Sequence, residues 1–239
     1  MLRKIVTVFI LITWPISLFL YNTQKDFLHY LLPLDPKFAV LPLLFVLIYF
    51  RFKKPLLIVF AIIVLILPFK SFLGQTIFIH DYEASQQVLQ KEKLYPSIFL
   101  ARLFQNKARI PLEKLSSNFF ALTDPNNYFF GFAPRQITVD NQNLKKFPFL
   151  SMPLLLIGLY YLTKDKNWKL ILGILIAAII NLSFLTNFDR NDFILWLPIS
   201  LLIIHGLNIF DKQFKYAKYF YIVFIIFSSI EILRIFLMK

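Results

Sequence analysis

Residues 74–146, GQTIFIHDYEASQQVLQKEKLYPSIFLARLFQNKARIPLEKLSSNFFALTDPNNYFFGFAPRQITVDNQNLKK, form the one long polar passage of a chain of 239 residues. Three hydrophobic runs precede it and four follow. A soluble protein scatters its polarity over every segment, whereas concentration in one passage is the pattern of a membrane protein with one sizeable segment outside the bilayer. The expected fold class is therefore all-α: a polytopic membrane protein of about seven transmembrane helices and one extracytoplasmic helical segment. Its divisions are 1–73 with three transmembrane helices, 74–146 outside the bilayer with amphipathic helices, and 147–239 with four more transmembrane helices.

Composition agrees with that class. The chain is 58% hydrophobic and holds 29 Phe, with a mean hydropathy of +0.66; soluble domains are about half apolar. There is no Cys, which removes disulfides, thiolate catalysis and zinc–thiolate sites. The net charge of +13 is not gathered into an arm or patch with interleaved aromatics, so it does not point to nucleic acid. The basic residues stand at the ends of apolar runs, where anionic headgroups draw them, and the bilayer is the partner they imply.

The runs expected to span are 5–21, 38–52, 55–73, 147–163, 168–186, 193–210 and 219–237. Each is apolar all round rather than striped, as a helix in lipid or in a bundle core must be. The second, with Pro42 inside, is short and could pair with the third as a tight hairpin. With a cytoplasmic N-terminus the inside connections carry Arg3, Lys4, Arg51, Lys53, Lys54, Lys164, Lys166, Lys169, Lys212, Lys215 and Lys218. The outside short segments carry Lys25, Lys37, Arg190 and Lys239. This asymmetry predicts N-inside and C-outside in the cytoplasmic membrane of the cell, with 74–146 on the outer face. The first run is followed by LFLYNTQKD, which lacks a small-residue cleavage pattern, so it is read as a retained helix.

Within the outer segment, Pro96 and Pro111 suit first helical turns, and Leu112, Leu115, Phe119 and Leu122 recur close to helical spacing. Asp124-Pro125-Asn126-Asn127 is a turn signal. The rings of Tyr128, Phe129, Phe130 and Phe132 are expected to pack the small domain or rest at headgroup level, with a lipid-substrate cleft as the other reading.

The run LARLFQNKARIPLEKLSSNFFALTDPNNYFFGFAPRQ, then FPFLSMPLLLIGLYYLTKDK, then NLSFLTNFDRNDFILWLPISLLIIHGL, resembles the later half of bacterial GT-C-fold glycosyltransferases over about residues 95–210. These are similar to protein mannosyltransferases and to the enzyme that adds aminoarabinose to lipid A. The resemblance implies a polyprenyl-phosphate sugar donor, chemistry on the outer face, and a carboxylate in a first outer loop to deprotonate the acceptor. In this chain that connection is short and offers Asp26 and Asp35. Asp26 is followed by Phe27 rather than a second acid, so it is only a weak candidate base and the catalytic first loop is not matched. Arg190, between Asp189 and Asp192, and Arg135 are the candidates for holding a lipid phosphate, a contact that a guanidinium fork makes well; the bland alternative for Arg190 is a surface ion pair.

Other residues weigh less. Glu231 and Arg234 are three apart in the last run and can meet on one helix face. His80, Asp81 and Glu83 lie close in sequence without any metal-ligand spacing. His205 and His29 stand alone and are read as packing or interface residues. Gly-rich phosphate loops, GxSxG and HExxH are absent, so the sequence implies no cofactor and no metal. The expectation is an accessory or lipid-phosphate-binding subunit that pairs with a catalytic membrane subunit. A non-enzymatic membrane scaffold or small transporter component is the alternative.

Overall fold

A computed structural model describes residues 1–24, 76–78, scattered positions between 86 and 99, 108–130, 146–164, 168–186, 188 and 192–237. The described part is helical: α1 (Leu2–Gln24), α2 (Arg109–Thr123), α3 (Asn126–Phe129), α4 (Ser151–Tyr160), α5 (Trp168–Ser183), α6 (Trp196–Gln213) and α7 (Ala217–Leu237). Short 3-10 turns, Leu162–Lys164 and Asp192–Leu195, follow α4 and precede α6. Among the described residues no strand forms, and one isolated antiparallel bridge joins Thr76 to Leu185. The expected runs 38–52 and 55–73 lie outside the described residues. The stretch Asp192–Gln213 is, among the described residues, the one long and apolar enough to cross a membrane. Helical rise makes it about 33 Å long, against a hydrocarbon core of about 30 Å.

α1 shows how an apolar helix accommodates its polar atoms. Thr7 and Thr13 donate their hydroxyls to the carbonyls of Arg3 (2.9 Å) and Phe9 (2.6 Å), one turn back. Pro15 lies inside the same helix and has no N–H to give to the carbonyl of Leu11. That carbonyl is taken instead by the indole of Trp196, whose Nε1 donates across at 3.0 Å. The bond that proline removes within α1 thus becomes a bond between α1 and the start of α6. Trp196→Phe is expected to cost about 1–3 kcal/mol by stranding the Leu11 carbonyl. In a Pro15→Ala background, where residue 15 can again donate, the same change costs less; a double-mutant cycle of thermal unfolding in detergent reads the difference.

α4 and α6 approach each other closely. Gly158 and Gly206 face each other: a Cβ on Gly158 would lie 2.0 Å from the Leu202 carbonyl oxygen, and one on Gly206 would lie 1.9 Å from that of Leu154. With no side chains between them, the two backbones touch, as small residues allow between apolar helices. The pairing of Leu154 with Gly206 and of Gly158 with Leu202 makes the helices antiparallel. Around this contact the core gathers Val6, Ile10, Leu11 and Trp14 from α1, Leu154 from α4, Ala178 and Leu182 from α5, Ile203 and Leu207 from α6, and Phe224 from α7.

The ends of the helices are tied by polar contacts. At one end, Arg3 Nη1 meets Asp211 Oδ2 at 3.1 Å, and the Tyr221 hydroxyl donates to Asp211 Oδ1 at 2.6 Å, which joins α1, α6 and α7. His205 Nε2 donates to the Tyr161 carbonyl at 3.0 Å and so closes the C-terminal end of α4. Glu231 on α7 accepts the Phe149 backbone N–H at 3.4 Å, just ahead of α4. The two residues read from sequence as solitary or self-paired, His205 and Glu231, thus both serve α4; Arg234 lies exposed in the last turn of α7.

Candidate functional site

The end of the bundle opposite the Arg3–Asp211 contact is where the polar passage returns to the apolar part of the chain. α2 lies across the C-terminal end of α5. Its buried Asn118 donates Nδ2 to the carbonyls of Ser183 (2.9 Å) and Leu185 (2.8 Å), two acceptors that the end of α5 leaves without helical partners. The residues that open the polar passage reach the same place, with the Ile77 N–H on the Phe184 carbonyl at 3.0 Å. The turn signal after α2 is realised as Asp124 Oδ1 accepting the Asn126 N–H at 2.9 Å, and α3 follows at once.

The aromatic run after that turn divides by face. Tyr128 and Phe129 are buried and join the core; Phe130 is partly exposed and rests edge-on to Phe149. The Tyr128 hydroxyl donates to the Leu122 carbonyl at 2.6 Å. Burial foremost, then the carboxylates of Asp192 and Asp124, push its phenol well above the ordinary range. It therefore stays neutral and keeps donating.

Below these rings lies a buried ion pair. Lys146, the last residue of the polar passage, is 6% exposed, and Asp192, at the mouth of α6, is 7% exposed. Lys146 Nζ contacts Asp192 Oδ2 and also donates to Asn127 Oδ1 at 2.6 Å. The ammonium stands 5.2 Å from the ring centroids of both Trp14 and Tyr128, within cation–π range. Trp14 in turn meets Phe147 at 5.4 Å and Phe193 at 5.7 Å, both edge-on, which holds its ring in place against the charge. A buried lysine needs a carboxylate and further acceptors to offset its lost hydration, and here three segments supply its partners: α1 the ring of Trp14, α3 Asn127 and the ring of Tyr128, and the turn ahead of α6 Asp192.

Chemically, the pair is a clamp. Its ammonium is occupied by two acceptors and two rings, so it fastens the end of the polar passage to the start of α6 rather than presenting a base to a substrate. The sequence reading had Asp192 as a flank of Arg190 in a surface ion pair; the structure gives it a partner 46 residues away and buries both. Lys146 was not singled out from sequence. The signal available was the abrupt change from Lys145-Lys146 to Phe147-Pro148-Phe149, which marks a lysine at an apolar boundary and says nothing of what it meets.

The candidate residues Asp26, Arg135 and Arg190 lie outside the described residues, as do His29, His80, Asp81, Glu83 and Asp189. Phe188 and Asp192, each two residues along the chain from Arg190, are both buried. Among the described residues no group of three or more His, Asp or Glu side chains could hold a metal ion. No family model, curated protein or solved structure matches the chain.

Proposed function

We propose that the chain is a multi-pass protein of the cytoplasmic membrane whose outer face binds the phosphate of a polyprenyl-linked sugar, as an accessory subunit related to the later half of GT-C glycosyltransferases. The observation that most supports this reading is the Lys146–Asp192 clamp, which ties the end of the polar passage to the start of α6, two residues along the chain from Arg190. A guanidinium beside such an anchored turn is suited to a lipid phosphate at the membrane boundary. The helix faces turned away from the core support the membrane setting. α7 exposes Ile222, Val223, Ile226, Phe227, Ile230 and Leu233, and α5 exposes Ile176 and Ile180; apolar faces of this extent belong in lipid or against another chain. The layout also accords with the charge asymmetry, since the start of α1 and the end of α6 meet at one end while the outer segment gathers at the other.

The scaffold alternative draws on a different observation. The Gly-Leu pairs in the two spans that carry the resemblance have a packing reason of their own in the Gly158–Gly206 contact, so they do not by themselves require an enzyme's ancestry.

Binding of radiolabelled polyprenyl-phosphate sugar to the detergent-solubilised protein separates the readings. The wild type is expected to bind specifically and Arg190→Ala to bind about 10–100-fold more weakly, the loss of one charge-assisted contact. Asp26→Asn should bind as the wild type does. Absence of binding by the wild type sinks the lipid-phosphate reading and leaves the scaffold.

A further inference from the structure

α2 carries three different faces. Asn118, Ala121 and Leu122 are buried, with Asn118 on the end of α5. Glu113 and Ser117 form an exposed polar flank. Between these two lies a third face, on which Leu112 is 62%, Phe119 43% and Phe120 69% exposed. The helical spacing that the sequence suggested as one apolar stripe is therefore split: Leu122 turns inward, while Leu112 and Phe119 turn out.

The hydroxyls on that third face are already satisfied. Thr123 donates to the carbonyls of Phe119 (2.9 Å) and Phe120 (3.2 Å), and Ser116 donates to that of Glu113 (3.0 Å). Neither proton needs water, which lowers the cost of taking those two hydroxyls into an apolar surrounding. The anchor of α2 fixes its height as well. Asn118 binds the carbonyl of Ser183, three residues beyond the exposed Ile180 on α5, so α2 lies within about one helical turn of the outward apolar face of that helix. Phe78, 67% exposed and stacked on Phe184 at 5.9 Å, extends the apolar surface at the same end.

We propose that α2 is an interfacial helix that seats Leu112, Phe119 and Phe120 in the outer leaflet, at the boundary between headgroups and acyl chains. It would hold the outer segment flat on the bilayer with its Glu113–Ser117 flank in water. Amphipathic helices of this kind bury their apolar face about 5–10 Å into that boundary. The proposal rests on the membrane reading of α5, and the experiment below separates the two.

The chain has no Cys, so single-cysteine variants can be spin-labelled without background. Labels at 112, 116, 119 and 120, at 113 and 117, and at 180 as a lipid-facing reference are placed in the full-length protein. The protein is reconstituted in vesicles of phosphatidylethanolamine and phosphatidylglycerol. Collision with dissolved oxygen is compared with collision with a water-soluble nickel chelate. The expected result is that labels at 112, 119 and 120 favour oxygen several-fold while those at 113 and 117 favour nickel. Ser116→Cys, a nearly isosteric change on the same face, gives this result even if a Phe→Cys variant folds poorly. Nickel contact at 112, 116, 119 and 120 with oxygen contact at 180 overturns the proposal and leaves the membrane reading standing. Low contact with both reagents at these sites means that protein covers the face, and overturns it too. Nickel contact at 180 removes the membrane reading and the proposal together.

Discussion

Gly206→Ala is expected to abolish recovery of monodisperse protein from detergent, or to lower the unfolding midpoint steeply. The added methyl would lie 1.9 Å from the Leu154 carbonyl oxygen and 2.9 Å from the backbone nitrogen of Gly158. Both obstacles are main-chain atoms of a helix, which cannot rotate aside as a side chain would. Relief requires α4 and α6 to move apart along their whole contact, at a cost of about 3 kcal/mol or more, the upper part of the range for overpacking. Gly158→Ala meets the Leu202 carbonyl at 2.0 Å and should behave alike. Gly173→Ala is the control, because nothing lies within 4 Å of its Cβ. There, in the exposed face of α5, the change should be neutral or stabilise by about 0.5–1 kcal/mol, the helical preference for Ala over Gly. If all three variants unfold at the same temperature, the close contact between α4 and α6 is wrong.

Lys146→Met is the second large effect. It leaves the Asp192 carboxylate buried without its ammonium and Asn127 Oδ1 without its donor. Losing one member of a buried pair costs about 3–5 kcal/mol, and Asp192→Leu should cost a similar amount by stranding the ammonium. The double variant Lys146→Met/Asp192→Leu removes both charges and should recover most of that loss, since an apolar pair of similar volume replaces a buried ion pair at little net cost. Thermal unfolding of the four proteins in detergent gives the coupling directly. Additive losses would mean that the two side chains do not meet. The cycle also bears on the lipid-phosphate reading, because an unfastened α6 mouth should weaken ligand binding in each single variant and restore it in the double.

Much of the local structure was legible in the chain. Runs 147–163, 168–186, 193–210 and 219–237 were read as helical from their unbroken apolarity, and each holds a helix. The helix behind Pro111 and the turn at Asp124-Pro125 were legible for the same kind of reason: proline and Asx residues act on their nearest neighbours. Faces were another matter. Spacing places Leu112, Leu115, Phe119 and Leu122 in one stripe, yet of these only Leu122 is buried, because which side of a surface helix turns inward depends on the element it lies against. In α2 that choice is fixed by Asn118, a polar residue on the carbonyls of α5, and hydrophobic periodicity cannot register a polar anchor.

The candidate site shows the same division more sharply. Arg190 drew notice because guanidinium, carboxylate and span end stand together in sequence; Lys146 did not, although it carries the buried charge. Asp192 is two residues from Arg190 along the chain, and in space it is buried against Lys146, a relation that no local spacing shows.

By itself, the sequence determined that this chain is helical and strongly apolar and that its polarity is collected in one passage, because these follow from composition and from interactions within a few residues. The tertiary structure alone decided that Pro15 is answered by Trp196, that Gly158 and Gly206 are opposed, and that Lys146 closes on Asp192 against the rings of Trp14 and Tyr128. Each of these joins residues at least 46 positions apart. Each forms where burial withdraws water from a carbonyl, a backbone or a charge and a distant group takes its place.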